Sequence, residues 1–145
     1  MSFSKSGDKG IRNNNPGNIR ISNANWKGKV PLSENTDGQF EQFTDMKWGA
    51  RAMVDLLKNY IEDDGANTIS KIITRYAPAK DSNNTAGYIA YVQKETGYGN
   101  SVISTQYPDA VASVAAVMSW VENGKDDALK AGLTPQFFRS AWDLI

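Results

Sequence analysis

The feature that most constrains this chain is a long apolar stretch, PDAVASVAAVMSWVENG, over residues 108–124. Pro108 suits the first turn of a helix, where its missing N–H has no intrahelical partner, and Gly124 is a common helix stop. Val111, Val114, Met118 and Val121 follow the spacing of one buried helical face. A helix this apolar must be covered by other elements, so the pattern predicts a central helix over residues 108–123. The 145 residues are enough for one domain, spanning 1–145, with a real core.

Other segments also combine a helical period with helix-end signals. Thr68, Asn84 and Thr134 can each cap a helix N-terminus through a side-chain oxygen. Helices are predicted within residues 44–65, 68–78, 84–97 and 134–145, and the short piece DDALKAG, residues 126–132, precedes the last of them. The fold class predicted is therefore mainly α.

The N-terminal part reads differently. The stretch GIRNNNPGNIR, residues 10–20, contains poor helix formers and predicts a sharp hydrogen-bonded turn around Pro16-Gly17. Residues 18–43 hold the strand-like pieces NIRIS, NWKGKV and GQFEQF, which predict a small antiparallel β unit. Together these patterns indicate a helical (α+β) domain with its β unit near the N-terminus.

Composition narrows the chemistry. The chain has no cysteine and no histidine, which argues against disulfides, thiolate catalysis, a Ser-His triad and zinc sites of the usual type, so no metal or cofactor is expected. Its net charge of zero gives little support to nucleic-acid binding. No apolar run reaches membrane-spanning length, and MSFSKSGDKG lacks the apolar stretch of a signal peptide. Carboxylates, tyrosines, hydroxyls and backbone groups remain as reactive groups.

Glu122 is the carboxylate whose position is least expected on structural grounds. It falls in the last turn of the apolar helix, where the partial negative charge of the helix end and nearby apolar residues both raise a carboxyl pKa. A carboxylic acid that stays protonated near neutral pH can act as a general acid on a glycosidic bond. An exposed glutamate at a frayed helix end is the alternative. Glu95, in KETGYGNS, has a similar setting on a more polar helix.

Several motifs resemble a known family. GIRNNNPGNIR, followed by FEQF, WGARAM and TISKIITRYAP, resembles phage-encoded structural proteins and lysins that are associated with a lysozyme-like, peptidoglycan-cleaving domain. The resemblance runs from about Gly10 to Gly124. It implies a lysozyme-like fold and a phage origin.

A second resemblance concerns the catalytic parts. AAVMSWVENG is similar to the catalytic-glutamate helix of lytic transglycosylases and flagellar-type glucosaminidases, and TAGYIAYV to their Thr-x-x-Tyr segment, but the order of the parts is rotated. A circularly permuted domain with Glu122 as the acid is the resulting hypothesis. Glu34 resembles the second carboxylate of glucosaminidases, and Glu41, in the same β unit, is a candidate substrate-binding residue. Tyr88 would then lie near Glu122, although a plain core position is equally compatible.

The resemblance also gives the Asn-rich turn two interpretations. Asn14, Asn15 and Asn18 are expected either to bind sugar hydroxyl and N-acetyl groups or to bond only within the turn.

The expected function is cleavage of the β-1,4 bond between N-acetylmuramic acid and N-acetylglucosamine. A transglycosylase route is favoured over hydrolysis, because no partner carboxylate is as well placed as Glu122. The alternative is a non-enzymatic virion or glycan-binding protein on the same fold. The expected partner is bacterial peptidoglycan, with other virion proteins as further candidates. The protein would be made in the host cytoplasm and act on the cell wall, either after release through a holin or as part of the virion.

Overall fold

The computed structural model describes residues 9–81 and 83–145. These residues form seven α-helices: α1 (Lys9–Arg12), α2 (Met46–Asp64), α3 (Ile69–Tyr76), α4 (Thr85–Thr96), α5 (Pro108–Asn123), α6 (Lys125–Lys130) and α7 (Pro135–Trp142). The mainly α class is thereby confirmed. None of the described helices is long and apolar enough to cross a membrane. The expectation that no signal peptide is present rests chiefly on residues 1–8, which lie outside this description.

Helix α5 is the central element, as its composition predicts. Its predicted apolar face is buried, and so are Ala112, Ala115, Ala116 and Val117 on its other sides. Helices α2, α4, α6 and α7 pack around it, and the short α1 contacts it as well. The C-terminal end of α5 is therefore held within the molecule.

The helix boundaries follow local capping chemistry. Thr68, Asn84 and Thr134 each accept a hydrogen bond from a backbone N–H in the first turn, so all three predicted caps are confirmed. Asp45 caps α2 in the same way. Gly65 ends α2 with φ 67°, a left-handed conformation that glycine adopts without steric cost.

The N-terminal segment differs from its prediction in two respects. Lys9–Arg12 forms one helical turn, closed by the bond from the Asn13 amide to the Lys9 carbonyl at 3.0 Å. Asn14 and Asn18 then take left-handed conformations, with φ 53° and φ 50°, which asparagine tolerates better than most residues. The turn around Pro16-Gly17 is thus present, but a helical turn precedes it.

The predicted β unit is reduced to two isolated antiparallel bridges, Arg20 with Phe40 and Lys29 with Phe43, and the described residues form no sheet. Side chains replace ladder bonds here. Asn35 donates to the Phe40 carbonyl at 3.0 Å, and Asp37 accepts from the Phe40 amide at 2.9 Å. These side-chain bonds fold residues 35–40 into a local bend, so an extended strand does not continue through them.

Candidate active site

A cavity of about 900 Å³ opens where the N-terminal segment meets the C-terminal end of α5. Residues from α2, α3 and α4 and from the loop between α3 and α4 complete its lining. Glu122 is the only carboxylate among the described residues that line it.

Two donors hold the Glu122 carboxylate. Asn18 Nδ2 donates to Oε1 at 3.0 Å, and the Tyr88 hydroxyl donates to Oε2 at 3.0 Å. The Tyr88 ring is buried, and its hydroxyl also lies 3.3 Å from the Met118 carbonyl oxygen. The carboxylate is therefore fixed in orientation while Glu122 itself remains half-buried at the cavity surface.

Burial raises the pKa of Glu122 from 4.5 to about 7. The hydrogen bonds from Asn18 and Tyr88 and the charge of Arg20 lower the pKa, since each stabilises the carboxylate, but burial outweighs them. Near neutral pH this group can therefore both donate and accept a proton.

The two residues that precede Asn18 are held by side chains from other elements. The Tyr76 hydroxyl donates to the Gly17 carbonyl, and Asn123 Nδ2 donates to the Pro16 carbonyl at 2.9 Å. Asn123 directly follows Glu122 and is buried. The end of α5 and the Asn-rich turn are thus tied together at two adjacent residues.

Aromatic rings and amides make up much of the remaining lining. Phe40, Tyr60 and Tyr76 all border the cavity, and the two tyrosine rings meet edge to face at 6.5 Å. Gln39, Asn83 and Asn84 add amide groups. Aromatic faces and amides are suited to contacts with the apolar faces and hydroxyls of a sugar.

Comparison with known proteins gives the chain a family. It is 33% identical over 139 residues to Protein P5 of Pseudoalteromonas phage PM2, and the alignment covers 90% of this chain and 82% of that protein. The chain belongs to the Protein P5 family. No family model matches the sequence. The kinship with a bacteriophage protein, which the sequence motifs implied, is confirmed.

In this member of the Protein P5 family, three of the predicted site residues come together: Glu122, Asn18 and Tyr88. Asn14 and Asn15 do not join them. The Asn14 amide donates to the Phe43 carbonyl at 3.0 Å, and Asn15 is fully buried with its side chain bonded to the backbone of Ile19 and Glu41. Both have the scaffolding role, rather than the predicted sugar contact, because their amide groups are already occupied.

The other predicted carboxylates also lie apart from the cavity lining. Glu34 is exposed in the 3-10 turn Leu32–Glu34. The Glu41 side chain is buried against Lys29, with Oε2 3.0 Å from Nζ, so it stabilises the fold of this segment instead of reaching a substrate. Glu95 pairs with Lys125 at 3.2 Å on the surface.

Sequence reasoning missed the roles of Arg20, Asn123 and the Tyr76 hydroxyl. Arg20 is the last residue of the GIRNNNPGNIR motif, and Asn123 directly follows Glu122. Their positions in or beside these motifs were the sequence signal that could have identified them. Tyr76 falls in the helix predicted within residues 68–78. No sequence signal indicates its bond to the Gly17 carbonyl.

Proposed function

We propose that this protein cleaves the β-1,4 glycan strand of bacterial peptidoglycan with Glu122 as the general acid. One observation carries the proposal. Among the described residues, one carboxyl group lines the 900 Å³ cavity, and it is oriented by two donors and has a pKa of about 7.

The reaction begins with protonated Glu122. It donates its proton to the glycosidic oxygen as the C1–O bond breaks, which leaves a cationic sugar ring and a Glu122 carboxylate. The C6 hydroxyl of the same muramic acid attacks C1, and its proton passes to the carboxylate. The products are a 1,6-anhydro sugar and a new chain end, and Glu122 is protonated again.

Non-hydrolytic cleavage is favoured because a hydrolase requires a second carboxylate at a suitable distance from the first. Glu34, Glu41 and Glu95 do not line the cavity, and Glu41 and Glu95 are each paired with a lysine. A single group that alternates between acid and base suffices for the transglycosylase route.

The arrangement of the site also supports a lysozyme-like domain whose parts occur in rotated order. The catalytic helix comes late in the chain, and the Asn-rich turn that packs on its end lies 104 residues earlier. We propose this relationship alongside the activity. The place of action would be the cell wall, reached from the host cytoplasm or from the virion.

The decisive experiment is a turbidity assay on outer-membrane-permeabilised cells. Glu122→Gln is nearly isosteric and should lower the rate about 10²–10⁴-fold, the usual contribution of general acid catalysis. Glu95→Gln, which removes an exposed carboxylate, is the matched control and should stay near wild type.

Mass spectrometry of the products separates the two routes. Anhydro-muropeptides indicate the transglycosylase, whereas reducing ends indicate a hydrolase. Glu34→Gln should cost less than about fivefold in rate, or about 1 kcal/mol of barrier. A wild-type protein that sediments with cell walls but releases no product would contradict the proposal and favour a glycan-binding virion protein.

A further inference from the structure

The cavity differs in charge from the chain as a whole. The chain carries 16 basic and 16 acidic residues, yet the described cavity lining contains four cations, Lys9, Arg20, Arg75 and Lys80, and one carboxyl group, Glu122. With the Glu122 pKa near 7, that one carboxyl group is only partly ionised at neutral pH. The lining is therefore cationic when the acid is ready to act.

Two of these cations are paired with carboxylates of the chain. Lys9 pairs with Asp37 at 3.2 Å, and Arg75 pairs with Asp64 at 2.8 Å while lying over the Tyr60 ring. These two ion pairs link residues of the cavity lining to neighbouring parts of the chain.

Arg20 and Lys80 have no carboxylate partner among the described side chains. The Arg20 guanidinium lies 5.4 Å from the centroid of the Phe40 ring, and its charge reaches Glu122, whose pKa it lowers. Lys80 is exposed and stands in the 3-10 turn Ala79–Asp81, which follows α3. The two cations thus come from separate segments that border the same cavity.

We infer that Arg20 and Lys80 bind the free carboxylates of the peptide stems that substitute a peptidoglycan strand. This inference rests on the proposed function. The glycan backbone supplies hydroxyls and N-acetyl groups, which the amides and aromatic rings of the cavity suit. Cations are of use only where the substrate carries anions, and in peptide-bearing peptidoglycan those anions are carboxylates. The site therefore selects strands whose stems are present and ionised.

Chemical amidation gives a matched pair of substrates. Carbodiimide coupling with methylamine neutralises the stem carboxylates of isolated cell walls and leaves the glycan unchanged. Binding is measured by sedimentation in a Glu122→Gln background, so that it is independent of cleavage. The parent protein should bind native walls several-fold more tightly than amidated ones, and added salt should reduce the difference.

Lys80→Gln tests the proposed ion pair with the stem carboxylates directly. It should weaken binding to native walls about 2- to 5-fold, as expected for an exposed ion pair, and should leave binding to amidated walls unchanged. Lys130→Gln makes the same charge change at an exposed position of α6 and should leave binding to native and to amidated walls unchanged. Arg20→Gln should behave like Lys80→Gln in binding, and in the active protein it should also move the pH profile upward, because Arg20 lowers the Glu122 pKa.

Three results would overturn the inference. The first is equal binding of the parent protein to native and amidated walls. The second is equal weakening of binding to both walls by Lys80→Gln. The third is displacement from native walls by polyphosphate at a lower charge concentration than by polyglutamate, which would indicate a phosphate ligand. Absence of cleavage by the wild-type protein would contradict the proposed function. The binding results could still be interpreted, because they are measured independently of cleavage.

Discussion

At the scale of single residues, Glu122 shows how burial and hydrogen bonding compete. Burial favours the neutral acid, whereas the donors Asn18 and Tyr88 and the charge of Arg20 favour the carboxylate. Burial prevails, and the result is an acid whose pKa of about 7 lies near neutral pH.

The raised pKa predicts a pH-dependent stability. The folded protein binds the Glu122 proton more tightly than the unfolded chain does, so this stabilisation is complete below pH 4.5 and is lost as the pH rises to about 7. The loss amounts to about 3 kcal/mol. Glu122→Gln cannot ionise, so its free energy of unfolding relative to wild type should increase between pH 5 and pH 8. Denaturant titrations at both pH values measure this; parallel curves would contradict it.

Tyr88 offers a second test at this scale. Tyr88→Phe removes a donor that stabilises the Glu122 carboxylate, so the Glu122 pKa should rise and the upper limb of the pH–rate profile should move to higher pH. Tyr91→Phe is the control, because Tyr91 lies on the same helix and interacts with Glu95 instead. If the Tyr88 hydroxyl has only a structural role, Tyr88→Phe should lower the free energy of unfolding by about 1 kcal/mol and leave the pH–rate profile unchanged.

At the scale of elements, the helices were predictable and the N-terminal segment was only partly so. Helices are specified by local signals, and Thr68, Asn84 and Thr134 cap where the sequence indicates. In the segment before α2, backbone groups bond to side chains such as Asn15, Asn35 and Asp37. Neither a period of two residues nor one of 3.6 residues encodes these side-chain bonds. The sequence therefore did not show that the β unit is reduced to two bridges, or that Asn14 and Asn15 bond within the segment.

Asp37 gives a prediction for this segment. Burial alone would raise its pKa, but hydrogen bonds from the amides of Phe40 and Gln39, from Asn13 and from Lys9 lower it to about 2. Asp37→Asn should therefore lose about 1–2 kcal/mol of stability at pH 7. The difference from wild type should shrink as the pH falls from about 4 toward 2, where Asp37 itself becomes protonated. Asp63→Asn, an exposed change on α2, should stay within about 0.5 kcal/mol at every pH.

At the scale of the whole molecule, the site is assembled from segments that are remote in sequence. Asn18 and Glu122 are 104 residues apart, and Tyr88 lies 34 residues before Glu122. The sequence allowed each of the three to be singled out, since each stands in a distinctive motif. It could not give the cavity between them or its cationic lining, because Arg20 and Lys80 border the cavity only after the N-terminal segment and the loop between α3 and α4 have packed beside the end of α5.

Helix α7 contributes none of the described cavity lining, yet it packs against both α5 and α2. Phe138 is fully buried in that contact, whereas its neighbour Phe137 is half-buried. Phe138→Ala should therefore cost about 3–5 kcal/mol and lower the Tm by about 10–16 °C. Phe137→Ala, the matched control, should cost clearly less.

Glu122 lies at the C-terminal end of α5, and α7 contributes none of the described cavity lining. Molecules of Phe138→Ala that are folded should therefore keep an intact site. Its specific activity well below the Tm should match wild type, while heat inactivation should come earlier. Loss of activity at a temperature where circular dichroism shows a native helix content would mean that α7 sets the position of α5, and that the core and the site are not separable.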